Sequence, residues 1–441
     1  METKNILIKN AIILNPKPSE IESFKGDLLI ENDKIAEIAK SPISEKGIDK
    51  IIEANNKILL PGLINTHTHI SMNLFRGLAD DLALDVWLND HIWPMEAGLN
   101  GEYCYNGALL AIIEMIKSGT TSFNDMYFFT EEVAKAVEIS GIRGCLSHGM
   151  IDFGDEEKRN NEFKENIKLI KNCHNTADGR IKVRFGPHAP FTASKELLER
   201  VRREADKYKV GIHIHMNETK KEIEDVKEAR NKRPFEYLEE LNFLKEDVIA
   251  AHGVWLSKEE IEIIKKNNVN ISHNPCSNMK LASGISPVDE MLKKEINVGL
   301  GTDGAASNNN LDMFEEMKFA SLLQKVNTLN PQALTSDETL KMATINGAKA
   351  LNENNKIGSI EVEKKADIIL IDANTINLTP MSKTLSSNLV YAANGSNVNT
   401  TICNGKILME NRKLTTLDEN KIMEKAKVSL RELMQIRDES S

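Results

Sequence analysis

The stretch PGLINTHTHISMNLFRG, residues 61–77, is a short apolar run that finishes in two histidines one residue apart. On a β-strand side chains alternate between faces, so positions two apart leave on the same side. Read as a strand, this run carries the imidazoles of His67 and His69 off one face, close together. Alone, such a pair is as readily two rim histidines as a metal site. It becomes a metal site only if other segments deliver further ligands to the same place.

Beyond about residue 60 the chain repeats that pattern. The runs LINTHTH (63–69), TSFNDM (121–126), GCLSHGM (144–150), IKVRFGPH (181–188), VGIHIHM (210–216), VIAAHGV (248–254), VNISHN (269–274) and NVGLGTD (297–303) read as strands. Amphipathic segments such as KELLERVRREADKY (195–208) and SKEEIEIIKKNN (257–268) lie between them. The second of these opens with Ser257 and, three residues on, Glu260, a capping box that satisfies free backbone donors at a helix start. Eight strands alternating with helices predict a parallel sheet closed into a (β/α)₈ TIM barrel, here over residues 59–355.

Both ends depart from this rhythm. KNILIKNAIILN (4–15), GDLLIENDKIAEIA (26–39), IIEANNKILL (51–60), ADIILIDAN (366–374) and NTTICNGKILMENRKL (399–414) read as strands joined by turns. They predict a small β-sandwich domain assembled from residues 1–58 and 356–441. A closing helix over 418–437 is expected to pack through Ile422, Leu430, Leu433 and Ile436.

Composition narrows the partners. The 441 residues carry 56 Lys and Arg against 66 Asp and Glu, a formal net charge of −10. The signs are interspersed, so the positive clusters that nucleic acid or an anionic membrane would require are missing. No apolar run is long enough to span a bilayer, and charges and amides interrupt the first residues, which reads against a signal peptide. Five cysteines between Cys104 and Cys403 form no CxxC pair, which reads as reduced thiols in a cytoplasmic protein. A small-molecule substrate is expected, and the chain is compatible with a homo-oligomer.

Active-site residues of such a barrel sit at the C-terminal strand ends. Those ends supply His67, His69, Asp125, His148, His188, His215, His252, His273 and Asp303, seven of the chain's ten histidines. In VGIHIHMNE, His215 lies nearer the rim, while His213 is expected to fill the layer beneath and hold a hydrogen bond. Imidazoles with one carboxylate suit Zn²⁺, with Fe²⁺ the competitor. Three histidines, Asp303 and a water make five, so the aspartate bond is expected to be long or shared with the water.

Residues 58–74, HMNE (215–218), HGVWLS (252–257), SHNPCSNMKLASG (272–284) and GLGTDGAASNN (299–309) resemble, in order, the amidohydrolase superfamily. They are most similar to its deaminases of 5′-methylthioadenosine and S-adenosylhomocysteine. The resemblance implies one divalent metal per chain, held by His67, His69, His215 and Asp303. Two-metal relatives carry a bridging Lys or Glu at the fourth strand end, where this chain has RFGPHAP and His188. Replacing an aromatic amine by oxygen calls for water made acidic by a metal, with a pKa near ~7, and for a proton shuttle. The resemblance gives that shuttle to Glu218 and gives His252 and Asp303 the task of orienting and deprotonating the attacking water.

In the insertion DVWLNDHIWPMEAGL (85–99), Trp87 and Glu96 match positions that meet the nucleoside, whereas Trp93, followed by Pro94, reads as packing. His188 resembles a further nucleoside contact, with Glu218 and Asp303 beneath. His148 stands where relatives often carry an arginine that clamps the amino-acid tail of S-adenosylhomocysteine. An imidazole is a poorer carboxylate clamp than a guanidinium, although Arg159 is a candidate to share the role. The expected substrates are therefore adenosines with small or uncharged 5′ groups, methylthioadenosine or 5′-deoxyadenosine, with S-adenosylhomocysteine a further candidate. Related ligand sets keep guanine deaminase, imidazolonepropionase and triazine hydrolase as alternatives, and a non-catalytic barrel scaffold as a remote one. The run NPCSNM (274–279) only imitates a Pro-Cys-x-x-Cys zinc motif, because position 279 is Met279.

Overall fold

The computed structural model describes residues 4–82 and 84–440. Eight strands run in chain order around one parallel sheet: Leu63–Thr68, Thr120–Tyr127, Arg143–Met150, Ile181–Pro187, Ile212–Met216, Val248–His252, Asn270–His273 and Val298–Leu300. The last meets the first without a full ladder. Thr66 Oγ1 donates to the Leu300 carbonyl at 2.9 Å, and the Asp303 amide donates to the His67 carbonyl at 3.0 Å. Gly301 makes that approach possible, because a β-carbon there would lie 2.8 Å from the His67 nitrogen.

The helices follow their sequence signals. Lys195–Tyr208 starts at Ser194, whose hydroxyl accepts the Leu197 amide, and Lys258–Lys266 carries the reciprocal Ser257–Glu260 box. The terminal helix, Glu419–Ser440, buries Ile422 and Leu433, but Ile436 is 39 % exposed near its end. Ile436 nonetheless packs beside Leu433 over Gly98. Among the described residues no helix is long and apolar enough to cross a membrane. The five cysteines are free thiols.

The second sheet draws on both termini, as the turn-linked strands predict, and its hydrogen bonds join nine strands into one sheet. The halves meet where Lys57–Pro61 pairs antiparallel with Ile368–Asp372, Leu59 opposite Leu370. Alternation along these strands sorts two cores. Leu59, Ile368 and Leu370 pack into a core belonging to this sheet, while Ile58, Leu60, Ile369 and Ile371 pack against the barrel.

Candidate metal centre and active site

Five side chains converge at the C-terminal end of the barrel. Asp303 Oδ1 lies 3.4 Å from His67 Nε2 and 3.3 Å from His69 Nε2, and His69 Nε2 lies 3.3 Å from His215 Nε2. His252 joins His67 and His215 in a second group of ligand atoms within 4.8 Å of one another. Two of the positions depend on unusual backbone. Asp303, three residues past the last strand, and His252, the last residue of its own, both hold positive φ, 60° and 76°. Non-glycine residues rarely adopt such values, and the conformation aims both side chains across the barrel mouth.

The imidazoles are anchored from behind. His69 Nδ1–H donates to the Met126 carbonyl at 2.6 Å, His215 Nδ1–H to the His188 carbonyl at 2.8 Å, and His252 Nδ1–H to Asn278 Oδ1 at 2.9 Å. Each anchor places the lone pair on Nε2, facing the centre. Asp303 is oriented likewise: Ser277 Oγ donates to Oδ2 at 2.6 Å and the Gly304 amide to Oδ1 at 2.8 Å.

A divalent cation fits this donor set. His67 Nε2 is fully buried with no hydrogen-bond partner, an orphan that folding tolerates only when something satisfies it. Zinc, with bonds of ~2.0–2.1 Å, holds neighbouring tetrahedral ligand atoms ~3.3–3.4 Å apart, the spacing of His67 and His69 from Asp303 and of His69 from His215. Burial pushes His67 down to about 3, which keeps it neutral and able to ligate. At His69 burial also acts downward, but the Asp303 carboxylate outweighs it and raises the group to about 9, so without a cation Nε2 holds a proton that metal binding would have to displace. Burial acts upward on Asp303, and His67 and His69 overcome it, holding the carboxyl well below the usual range.

The cluster floors a cavity of about 910 Å³, large enough for a nucleoside. Glu218 lies beside it, Oε2 3.7 Å from His252 Nε2, with Ser283 Oγ donating to Oε1 at 3.4 Å. Burial raises the Glu218 carboxyl. Trp87, Glu96 and His188 line the cavity as expected from the sequence, and so does Trp93, which was expected only to pack. The segment carrying Trp87, Trp93 and Glu96, residues 84–96, is helical with π-type turns at Trp87–Ile92, an irregularity common at functional sites.

His148 does not face the cavity. Its strand neighbour Ser147 points into the barrel toward His213, so alternation sends His148 outward, where Nε2 contacts Glu162. Arg159 is also occupied elsewhere, its Nη1 donating to Asp152 Oδ2 at 3.3 Å and to Ser194 Oγ at 3.1 Å. Among the described residues no arginine lines the cavity. His273, though at a strand end, is fully buried outside the cavity lining.

The model of the amidohydrolase family matches residues 58–408. The chain belongs to the amidohydrolase family. The family is metal-dependent. This amidohydrolase is 65 % identical over 433 residues to a 5′-deoxyadenosine deaminase of Methanobrevibacter smithii, covering 98 % of this chain and 99 % of that one. It is 52 % identical over 405 residues to a 5-methylthioadenosine/S-adenosylhomocysteine deaminase of Thermococcus sibiricus, covering 92 % and 94 %. Among solved structures, an adenosine deaminase from Xanthomonas campestris with bound zinc superposes with a TM-score of 0.92, 33 % identity and 98 % coverage of both chains.

Several supporting residues of this amidohydrolase escaped sequence reasoning. Ser277 and Asn278, which orient Asp303 and His252, lie inside SHNPCSNMKLASG, where attention falls on the cysteine. Tyr127, whose hydroxyl donates to Glu96 Oε1 at 2.6 Å, follows the second strand run and carries no motif.

Proposed function

We propose that this amidohydrolase hydrolytically deaminates 5′-substituted adenosines, releasing ammonia, with 5′-deoxyadenosine and 5′-methylthioadenosine preferred over S-adenosylhomocysteine. One observation carries the reading: a cluster of four histidines and Asp303 with the buried Glu218 beside it, under an apolar-walled cavity of nucleoside size. His67, His69, His215 and Asp303 would hold one divalent metal, zinc suiting them best. When bound, the metal supplies a water acidic enough to react at neutral pH.

The residues divide the remaining work. His252 Nε2, its lone pair exposed by the Asn278 anchor, accepts a hydrogen bond from the attacking water, and ionised Asp303 accepts its proton. Glu218, whose burial favours the protonated carboxyl, donates to the purine ring nitrogen as the C6–O bond forms. The proton of the new C6 hydroxyl then passes through Glu218 to the amine as the C–N bond breaks and ammonia leaves, and the proton held by Asp303 restores the Glu218 carboxyl. Trp87 and Trp93 give apolar surface to the ring and the 5′ group.

Glu96 is suited to the ribose. Tyr127 occupies one of its acceptor sites and leaves others for two hydroxyls. Burial raises the Glu96 carboxyl to about 7, so it is charged above that pH; hydrogen bonds to a charged group contribute ~1.5–3 kcal/mol, and at pH ~8 Glu96→Gln is expected to raise KM for adenosine substrates ~10–100-fold. The same substitution should leave KM for a 2′,3′-dideoxy analogue unchanged; an equal rise for both nucleosides would remove Glu96 from the ribose.

Substrate preference follows from what the cavity lacks. Among the described residues no guanidinium lines it, His148 is turned toward Glu162, Lys221 and Lys280 at its mouth are paired with Asp225 and Asp80, and Lys220 lies over the Trp255 ring. The relative from Methanobrevibacter smithii, named for 5′-deoxyadenosine, supports the same choice. The test is ammonia release across 5′-deoxyadenosine, 5′-methylthioadenosine, S-adenosylhomocysteine, adenosine and guanine, with metal content measured in parallel. Higher kcat/KM for the first two and one metal per chain are expected. Preference for S-adenosylhomocysteine, or turnover of guanine alone, would overturn the proposal.

A further inference from the structure

His67 differs from the other proposed ligands in what stands behind it. His69 and His215 rest on backbone carbonyls, which can only accept, so their Nδ1 atoms must carry the hydrogen. His67 Nδ1 instead meets another imidazole, His213 Nε2, at 2.8 Å. Between two imidazoles either nitrogen can be the donor. Left to itself, the pair would be as ready to place the hydrogen on the wrong nitrogen of His67 and turn its lone pair away from the centre.

The direction is set one residue further back. Ser147 Oγ donates its one hydrogen to the Asp125 carbonyl at 2.7 Å, so toward His213 Nδ1, 3.4 Å away, it can only accept. His213 therefore carries its hydrogen on Nδ1 and presents a bare Nε2, and His67 must donate from Nδ1. His67, His213 and Ser147 are all fully buried, so no solvent hydrogen bond competes with the chain.

We infer that His213 and Ser147 are positioning residues that fix the tautomer of His67, and so the affinity of the site for its metal, through a one-way hydrogen-bond chain ending on the Asp125 carbonyl. This rests on the proposed ligation by His67. Loss of partners behind a metal-bound histidine typically weakens metal binding ~10–100-fold. Three variants separate polarity from packing. His213→Leu fills space but accepts nothing; His213→Gln offers a carbonyl oxygen to His67 Nδ1–H; Ser147→Ala frees His213 to take either tautomer.

The experiment is Zn²⁺ competition between each purified variant and a chromogenic chelator, alongside the melting temperature of the metal-free protein. The Leu variant is expected to bind zinc ~10–100-fold more weakly, the Gln variant near wild type, and Ser147→Ala to fall between them while melting as wild type does. Leu matching wild type, or Gln falling as far as Leu with an unchanged melting temperature, would overturn the inference and leave His213 as packing. If the Gln variant melts early, Ser147→Ala decides: unchanged zinc affinity there overturns it. Wild-type protein that binds no zinc or other divalent metal would instead overturn the reading of the site itself.

Discussion

Glu218→Gln is expected to lower kcat by ~10²–10⁴-fold, the range a positioned acid–base group contributes, while metal content and fold stay at wild type. The carboxyl is well placed for transfer in two directions, toward the cavity and toward His252 Nε2 at 3.7 Å, and burial favours its protonated form. Glutamine keeps the volume and can still accept from Ser283 Oγ, but it carries no transferable proton. Its backbone is secured independently: the amides of Asn217 and Glu218 donate to the two oxygens of Glu222 at 2.8 and 2.7 Å. The substitution should therefore act on turnover rather than on structure. Steady-state ammonia release with metal analysis reads the result, and near-full activity in the Gln variant would take the shuttle role away from Glu218.

Asp367→Asn is expected to cost ~3–5 kcal/mol of folding stability, the usual loss when one partner of a buried ion pair is removed. Asp367 precedes the first C-terminal strand of the second sheet, and Arg143 opens the third barrel strand. Arg143 Nε and Nη2 donate to Oδ2 and Oδ1, both at 2.9 Å, with side chains only 5 % and 2 % exposed. The Asn404 amide adds a third bond to Oδ1 at 2.8 Å. Burial opposes charge on Arg143, and Asp367 outweighs it. An amide in place of the carboxylate leaves the guanidinium desolvated without a counter-charge. Denaturant unfolding measures the loss. The double replacement Arg143→Met with Asp367→Leu should recover most of it, because the penalty lies in the stranded charge rather than in lost contact. A single-variant loss below ~1 kcal/mol would place the pair in the weak class of exposed bridges.

The two substitutions also mark a boundary in what the chain discloses. Glu218 was visible because it stands three residues after His215 within one motif, a spacing local enough to read. Asp367 was invisible, since nothing within ADIILIDAN points to an arginine 224 positions earlier.

His148 shows the same boundary within a single strand. Period-two alternation says which neighbours share a face but not which face is inside, and normally the apolar-versus-polar contrast tells them apart. Arg143–Met150 is buried along its whole length, the barrel interior on one side and the helices on the other. With both faces dry, the contrast vanishes, and the sequence gives no sign that Ser147 turns inward and His148 outward.

What the sequence determined by itself was therefore whatever depends on nearby residues: the strand–helix rhythm, the capped helix starts, the His-x-His pair, Glu218 after His215, and the missing arginine at position 148. The tertiary structure alone decided the distances of 3.3–3.4 Å around Asp303, the positive φ that turns His252 and Asp303 inward, the donors Ser277, Asn278 and Tyr127, and the pairing of Lys57–Pro61 with Ile368–Asp372 that joins the two halves of the second sheet. These features need chain closure and mutual burial, and both are properties of segments far apart in sequence.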